Sequence, residues 1–282
     1  MQNLASIPIL PSMFLTPFTS LTWAYQLHYY VCFRTHRRRH LPADGPERLT
    51  DTIHEICKRQ DYHLLEFHPE PAQILCLLSL RPAHTICKLV QIIKSNSSRE
   101  IDMLKPVWAR GYFASSVGRM RIAAVRNYLQ HQSEHHGYSV RMLPPVYRYR
   151  VREPVALTAA HCSFSLSHHV VLATRKRRGV FDSKVGRGLS EYWMRVAFAR
   201  GFAIDQISVV PDHVHLIVRI VPSMSIEECV LLLMNNGQHF VGKNYPRLLV
   251  DVGIDQLWEG SAYVGTCGEF TTAFVKAWLR RG

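Results

Sequence analysis

Short apolar runs alternate with longer amphipathic stretches along the chain, and their order recurs. Leu27 to Leu41, LHYYVCFRTHRRRHL, is an apolar run of strand length that ends in a basic triplet. A helix-like stretch beginning at Leu49 follows, then the leucine-rich run AQILCLLSL, a proline at Pro82 and a second helix-like segment. Leu166 to Val180, LSHHVVLATRKRRGV, starts the same series, continued by a helix-like stretch from Leu189, the β-branched run HVHLIVRIV, Pro222 and another helical segment. Further on, VWARGYFASSVG lies over LWEGSAYVGTCG, with Trp108 matching Trp258 and Gly118 matching Gly268, and each is followed by a short terminal helix. Self-similarity of this length identifies a tandem duplication. Copy one spans residues 21–138 and copy two 161–282. Strands and helices alternating in units this short predict an α+β fold, each copy a small antiparallel sheet with helices on one face.

Between the copies, residues 139–160 are basic and proline-bearing, the composition of an exposed linker that could also lie on phosphates. Residues 1–20 are apolar, lack a basic residue and are broken by Pro8, Pro11 and Pro17, which argues for an extension and against a signal peptide or membrane helix. A 47% hydrophobic content is enough to build a core, so the +13 net charge does not mark disorder; it points to a polyanionic partner. Seven scattered cysteines without a C-x-x-C indicate neither a disulfide framework nor a zinc knuckle, and a cytoplasmic location is expected.

Within HVHLIVRIV, His213 and His215 are separated by one residue and project from the same strand face, close enough to share a divalent ion. His168 and His169 are adjacent and face opposite ways, which makes a metal shared between them improbable. The order of strand with basic turn, helix, H-x-H strand, helix, LW..S.YVGT.G segment and terminal helix resembles the single-tyrosine transposases of the HUH nuclease superfamily, REP-associated tyrosine transposases included. The resemblance covers nearly all of both copies. It implies ferredoxin-like domains arranged as a pseudo-dimer, and metal-dependent cleavage and rejoining of single-stranded DNA through a 5′-phosphotyrosine. In such enzymes the tyrosine on one subunit's terminal helix completes a site whose histidines come from the other.

The two copies depart from that pattern in opposite ways. Copy two's PDHVHLIV keeps His213 and His215, whereas PEPAQILC in copy one aligns Pro71 and Gln73 with them. Copy one's terminal VRNYLQHQ carries Tyr128 and Gln132, four residues apart on one helical face, whereas VKAWLRRG of copy two has Trp278 and ends at Gly282. A single composite site predicts this complementarity, with Tyr128 the nucleophile and His213, His215 and Gln132 the ligands of Mg²⁺ or Mn²⁺. Three neutral ligands leave the ion its full charge to polarise a phosphodiester that a phenol of pKa about 10 attacks poorly unaided. Tyr263 is a second candidate nucleophile, but Phe113 takes its place in copy one and favours a packing role. Arg37, Arg38 and Arg39 recur as Lys176, Arg177 and Arg178, and with Lys94 and Arg99 of KSNSSRE are the expected DNA contacts. DNA hairpins are the expected target. The competing reading is a hairpin-binding regulatory protein whose catalysis is vestigial; a replication or conjugation nickase is disfavoured because no helicase or primase region accompanies the nuclease.

Overall fold

The structure is a computed structural model and describes residues 16–130 and 145–280. Copy one contributes β1 (Thr22–Gln26), β2 (His28–Arg34), α1 (Gly45–Gln60), β3 (His63–Glu70), β4 (Gln73–Ser79), α2 (Ile86–Glu100), β5 (Tyr112–Val117) and α3 (Ile122–Gln130). After β6 (Tyr147–Arg150), copy two repeats the series as β7 (Cys162–Ser165), β8 (Ser167–Thr174), α4 (Ser183–Arg200), β9 (Ala203–Val210), β10 (His213–Arg219), α5 (Ile226–Asn244), the short α6 (Leu248–Asp251), β11 (Trp258–Cys267) and α7 (Thr272–Leu279). Matching helices start and stop alike. Thr85 and Ser225 cap α2 and α5 by accepting from the backbone N–H of Lys88 and Glu228, and left-handed Asp61 and Gly201 end α1 and α4.

Two sheets form, and neither belongs to one copy. The order is β3-β4-β2-β5-β7 in one and β1-β11-β8-β10-β9-β6 in the other. Strand β1 leaves its own copy and pairs parallel with β11, after which the chain continues through Leu27 into β2; β7 reciprocates, parallel to β5, before β8. The exchange is stapled by hydroxyls at matching positions. Thr266 Oγ1 donates to the carbonyl of Val117 at 2.6 Å and accepts from the N–H of His28; Ser116 Oγ donates to the carbonyl of Cys267 at 2.7 Å and accepts from the N–H of Ser167. Reciprocal bonds Cys87 N–H to Pro222 O and Glu227 N–H to Pro82 O join the helix-entry loops, so a pseudo-twofold axis relates the copies.

The paired long helices cover one face of each sheet, and a single buried cluster runs from Val31, Leu49 and Leu89 to Leu172, Leu189 and Leu233. The terminal helices cross to the opposite faces and to the other copy's sheet. Leu129, Ile122 and Val125 of α3 pack with Ile217 of β10, and Val275 and Leu279 of α7 pack with Leu75 and Leu77 of β4. Each crossing is held by charge beside a β-bulge: Arg126 reaches Asp205 at 3.3 Å, and Arg280 reaches Glu66 at 2.5 Å.

Two segments expected to be peripheral are docked. Tyr147–Arg150, inside the stretch read as linker, adds an edge strand to β9. At the other end, Phe18 exchanges backbone hydrogen bonds with the Asn235 side chain, and the Thr16 carbonyl accepts from Gln238, laying these residues along α5. All seven cysteines are free thiols, and among the described residues no helix is long and apolar enough to cross a membrane.

At the axis the matching residues Tyr29 and His168 meet, the phenol 2.7 Å from Nε2. Burial lowers the His168 pKa from 6.5 to about 3. The folded chain thus binds fewer protons than the unfolded one in that interval. Stability is full above pH 6.5 and falls as pH approaches 3, by up to about 1.4 kcal/mol per pH unit from this group. Thermal midpoints of the Tyr29→Phe/His168→Phe double variant should drop less than those of the parent between pH 6.5 and 4.5; parallel curves would assign the acid lability to other groups.

Candidate active site

The hydrogen-bond register first corrects the alignment of the copies. Thr35 N–H donates to Ala72 O as Thr174 N–H does to Asp212 O, and Leu41 N–H donates to Pro71 O as Val180 N–H does to Pro211 O. Pro71 therefore matches Pro211, and the counterparts of His213 and His215 are Gln73 and Leu75, not Pro71 and Gln73. Two prolines flank Glu70, and the sequence match had chosen the wrong one. Copy one still lacks the histidine pair.

On β10 the rings of His213 and His215 lie 4.8 Å apart between centroids, on the face that α3 covers. Asp212 Oδ1 accepts from His213 Nδ1 at 2.6 Å and Oδ2 pairs with Arg177 at 2.9 Å. Burial alone would raise the Asp212 carboxyl, but the His213 hydrogen bond and the nearby positive charges outweigh it and hold the pKa below its ordinary value. A proton on Nδ1 makes Nε2 the lone-pair nitrogen of His213, the arrangement that orients a metal-binding imidazole. His215 Nδ1 is 3.0 Å from His169 Nε2, with the two rings stacked. Burial pushes His169 down to about 4, so it is neutral near pH 7 and its single ring proton sets which nitrogen donates.

The Tyr128 ring, brought by α3 from copy one, stands edge-on to His215 with centroids 6.0 Å apart. The structure thus brings together Tyr128, His213 and His215; Gln132 lies outside the described residues. Among the described residues no group of three or more His, Cys, Asp or Glu could hold a metal ion. Two oriented imidazoles fit as two ligands of a divalent ion, and further ligands have to come from elsewhere. Tyr263 is half exposed and edge-on to His169 at 5.9 Å, so it touches the site rather than filling the core.

Of the expected DNA contacts, three are otherwise engaged. All three Lys94 donors go to the carbonyls of Ala109, Arg110 and Gly111, and burial lowers its pKa to about 8, so this lysine ties down a loop and does not reach out to phosphate. Its neighbour Ser97 is buried beneath Trp108. Arg39 folds back onto the carbonyls of His36, Leu104 and Pro106. Arg177 is exposed but its Nε is paired with Asp212. Arg37, Arg38, Lys176 and Arg178 remain exposed at the two matching turns. Arg99 is exposed too, on the helix layer behind the sheet.

Three neighbours of the site were given no part in it from sequence. His169 sits diagonally from His215 because β8 pairs His169 with Ile217 and Val171 with His215, a register invisible in one strand. Asp212 precedes the histidine pair and could have been read as its orienting carboxylate. Arg148 of β6 lies opposite Ser208, which lies opposite His215, a row across three strands whose backbones are roughly 10 Å apart from first to last, with Arg148 on the same face as the histidine.

The family described as Transposase IS200 like matches residues 23–132 and 162–281. The ISDra2 transposase TnpA of Deinococcus radiodurans is 26% identical over 116 residues, covering 41% of this chain and 83% of that protein. The transposase for insertion sequence element IS200 of Salmonella typhimurium is 22% identical over 121 residues, covering 43% of this chain and 79% of that one. Among solved structures, a REP-associated tyrosine transposase bound to a REP hairpin shares 15% identity at a TM-score of 0.30, over 41% of this chain and 71% of that chain.

Proposed function

The chain belongs to the IS200-like transposase family, and we propose that it cleaves and rejoins hairpin-bearing single-stranded DNA through a 5′-phosphotyrosine on Tyr128 at one composite site. The observation that carries this reading is the crossing of α3, which sets copy one's Tyr128 against copy two's His215.

The Tyr128 hydroxyl oxygen attacks phosphorus and loses its proton; the 3′ oxygen leaves with a proton, and the 5′ phosphate stays on the tyrosine. Rejoining reverses these bonds with a 3′ hydroxyl as the nucleophile. His213 and His215, with Gln132, are the residues that would hold Mg²⁺ or Mn²⁺, which when bound supplies charge to polarise the non-bridging oxygens. Asp212 keeps His213 in the ligand tautomer, and His169 orients His215. Arg148 and the exposed cations Arg37, Arg38, Lys176 and Arg178 are suited to the phosphates of the incoming strand.

At the corresponding places copy one offers Gln73 and Leu75 and copy two's terminal helix offers Trp278, which supply neither a nucleophile nor an imidazole pair. Exchange of two ends must therefore use the one site twice or recruit a second chain; otherwise the reaction stops at nicking and resealing.

The test is a denaturing gel of hairpin single-stranded DNA with either Mg²⁺ or Mn²⁺. A 3′ end label should move onto the protein and a 5′ end label should leave on a free fragment, and His213→Ala/His215→Ala should lose both products. A 5′ label on the protein, or an adduct in the double variant, would refute the reading. Tight hairpin binding by a parent chain that never forms an adduct would favour the vestigial regulator.

A further inference from the structure

The pseudo-twofold axis builds one cleft twice. Against α3, the helix that carries Tyr128, a cleft of 300 Å³ is lined by Gln26, Arg119, Val125, His169, Tyr263 and Thr266 among others. Its twin, 330 Å³, is lined by Tyr30, Phe113, Phe270, Phe274, Val275 and Trp278, with Ser115 and Val117. Position by position, Tyr30 stands for His169, Phe113 for Tyr263, Phe270 for Met120, Phe274 for Ala124 and Trp278 for Tyr128.

A site that had merely lost its chemistry could close by packing its apolar replacements together. This one stays open. Phe113 is 39% exposed, and Phe270, Phe274 and Trp278 are each about half exposed, a costly amount of aromatic surface to leave in water. The rings are arranged as walls: Phe270 and Phe274 stack at 5.2 Å on the helix side, while Tyr30 stands 6.1 Å from Phe113 and 6.2 Å from Trp278 on the sheet side. Exposed Arg34 alternates onto the same face of β2 as Tyr30 and Cys32, and Ala173 occupies its place in the other copy, whose cleft is lined by a different cation, Arg119.

Open aromatic walls with an adjacent cation, on a +13 chain, match the chemistry of unpaired bases on a phosphate backbone. We infer that the aromatic cleft is a stacking site for unpaired nucleobases of the same single-stranded DNA that is cut beside Tyr128, with Arg34 on the neighbouring phosphate. This rests on the function proposed above. The non-catalytic half then acts as a strand guide, holding DNA by its base faces with little regard to sequence.

The experiment uses the full chain and hairpin oligonucleotides whose single-stranded flank carries 5-iodouracil at successive positions. Irradiation should cross-link one or two flank positions to Phe113, Phe270, Phe274 or Trp278, read by mass spectrometry. Phe270→Ala/Phe274→Ala should weaken binding by on the order of 10- to 100-fold, with the salt dependence unchanged, because stacking and not phosphate contact is removed. On a flank of abasic sites the parent should bind as weakly as the variant. Cross-links confined to other residues, or equal affinities of parent and folded variant on the base-bearing flank, overturn the inference. So does a parent that self-associates through these phenylalanines, which would make a second copy the occupant. In each of those cases the 3′-label adduct at Tyr128 can persist, so the cleft fails while the proposed function stands; a parent that binds no single-stranded DNA overturns both.

Discussion

Tyr128→Phe is expected to reduce covalent adduct formation by more than about 10³-fold while leaving hairpin affinity within about twofold. The substitution removes one oxygen and keeps the ring that stands against His215, so the helix crossing and the DNA surface are retained and the nucleophile is not. A mixing experiment sharpens the result. A Tyr128→Phe chain keeps His213 and His215; a His213→Ala/His215→Ala chain keeps Tyr128. Within one chain α3 already lies on copy two's sheet, so equal mixtures of the two defective proteins should remain inactive. Recovery of adduct on mixing would locate the site between two chains. Full activity of Tyr128→Phe would transfer the nucleophile to Tyr263, whose ring touches His169.

The second large effect is structural. Gly118→Ala or Gly268→Ala should cost about 3–5 kcal/mol, lowering the thermal midpoint by roughly 10 °C, and should depress adduct formation although every chemical group is intact. These glycines face each other's strands at the axis. A Cβ on Gly118 would land on the carbonyl of Thr266, and one on Gly268 on the carbonyl of Ser116; both obstacles are backbone and cannot swing aside. The same carbonyl rows carry the crossing, since Thr272 N–H donates to Gly118 O and Ile122 N–H to Gly268 O, each at 2.8 Å. Pushing them apart moves α3, and Tyr128 with it. Gly242→Ala is the control: no atom approaches its Cβ position within a helix, and it should leave stability unchanged or raise it by up to about 1 kcal/mol. Unchanged midpoints for both axial variants would mean that the crossing is looser than described.

Much of the site was legible because its signals are local. The period-two spacing of His213 and His215, the four-residue spacing of Tyr128 and Gln132 and the recurrent Trp and Gly anchors are each read from a dozen residues, and the presence of the histidine pair in one copy and of the tyrosine in the other is the pattern a composite site would leave. The Gly118 and Gly268 match was legible as well, though not what it is for.

What sequence could not supply depends on pairing between distant strands. Register decides that Gln73 and Leu75, and not Pro71 and Gln73, replace the histidines, and that His169 reaches His215 while its neighbour His168 turns to Tyr29 at the axis. Side-chain destination is equally nonlocal. Lys94 and Arg39 carry the same charge as Arg37, but carbonyls of residues 104–111 fold within their reach and satisfy them, because a buried carbonyl without a donor costs more than an exposed cation without a phosphate. The chain's own order set out two complementary halves, one carrying Tyr128 and the other His213 and His215; the exchange of β1 and β7 and the crossing of α3 and α7, which depend on contacts more than a hundred residues apart, decided that these three meet on one side of the axis and that the other side is left as an open aromatic cleft.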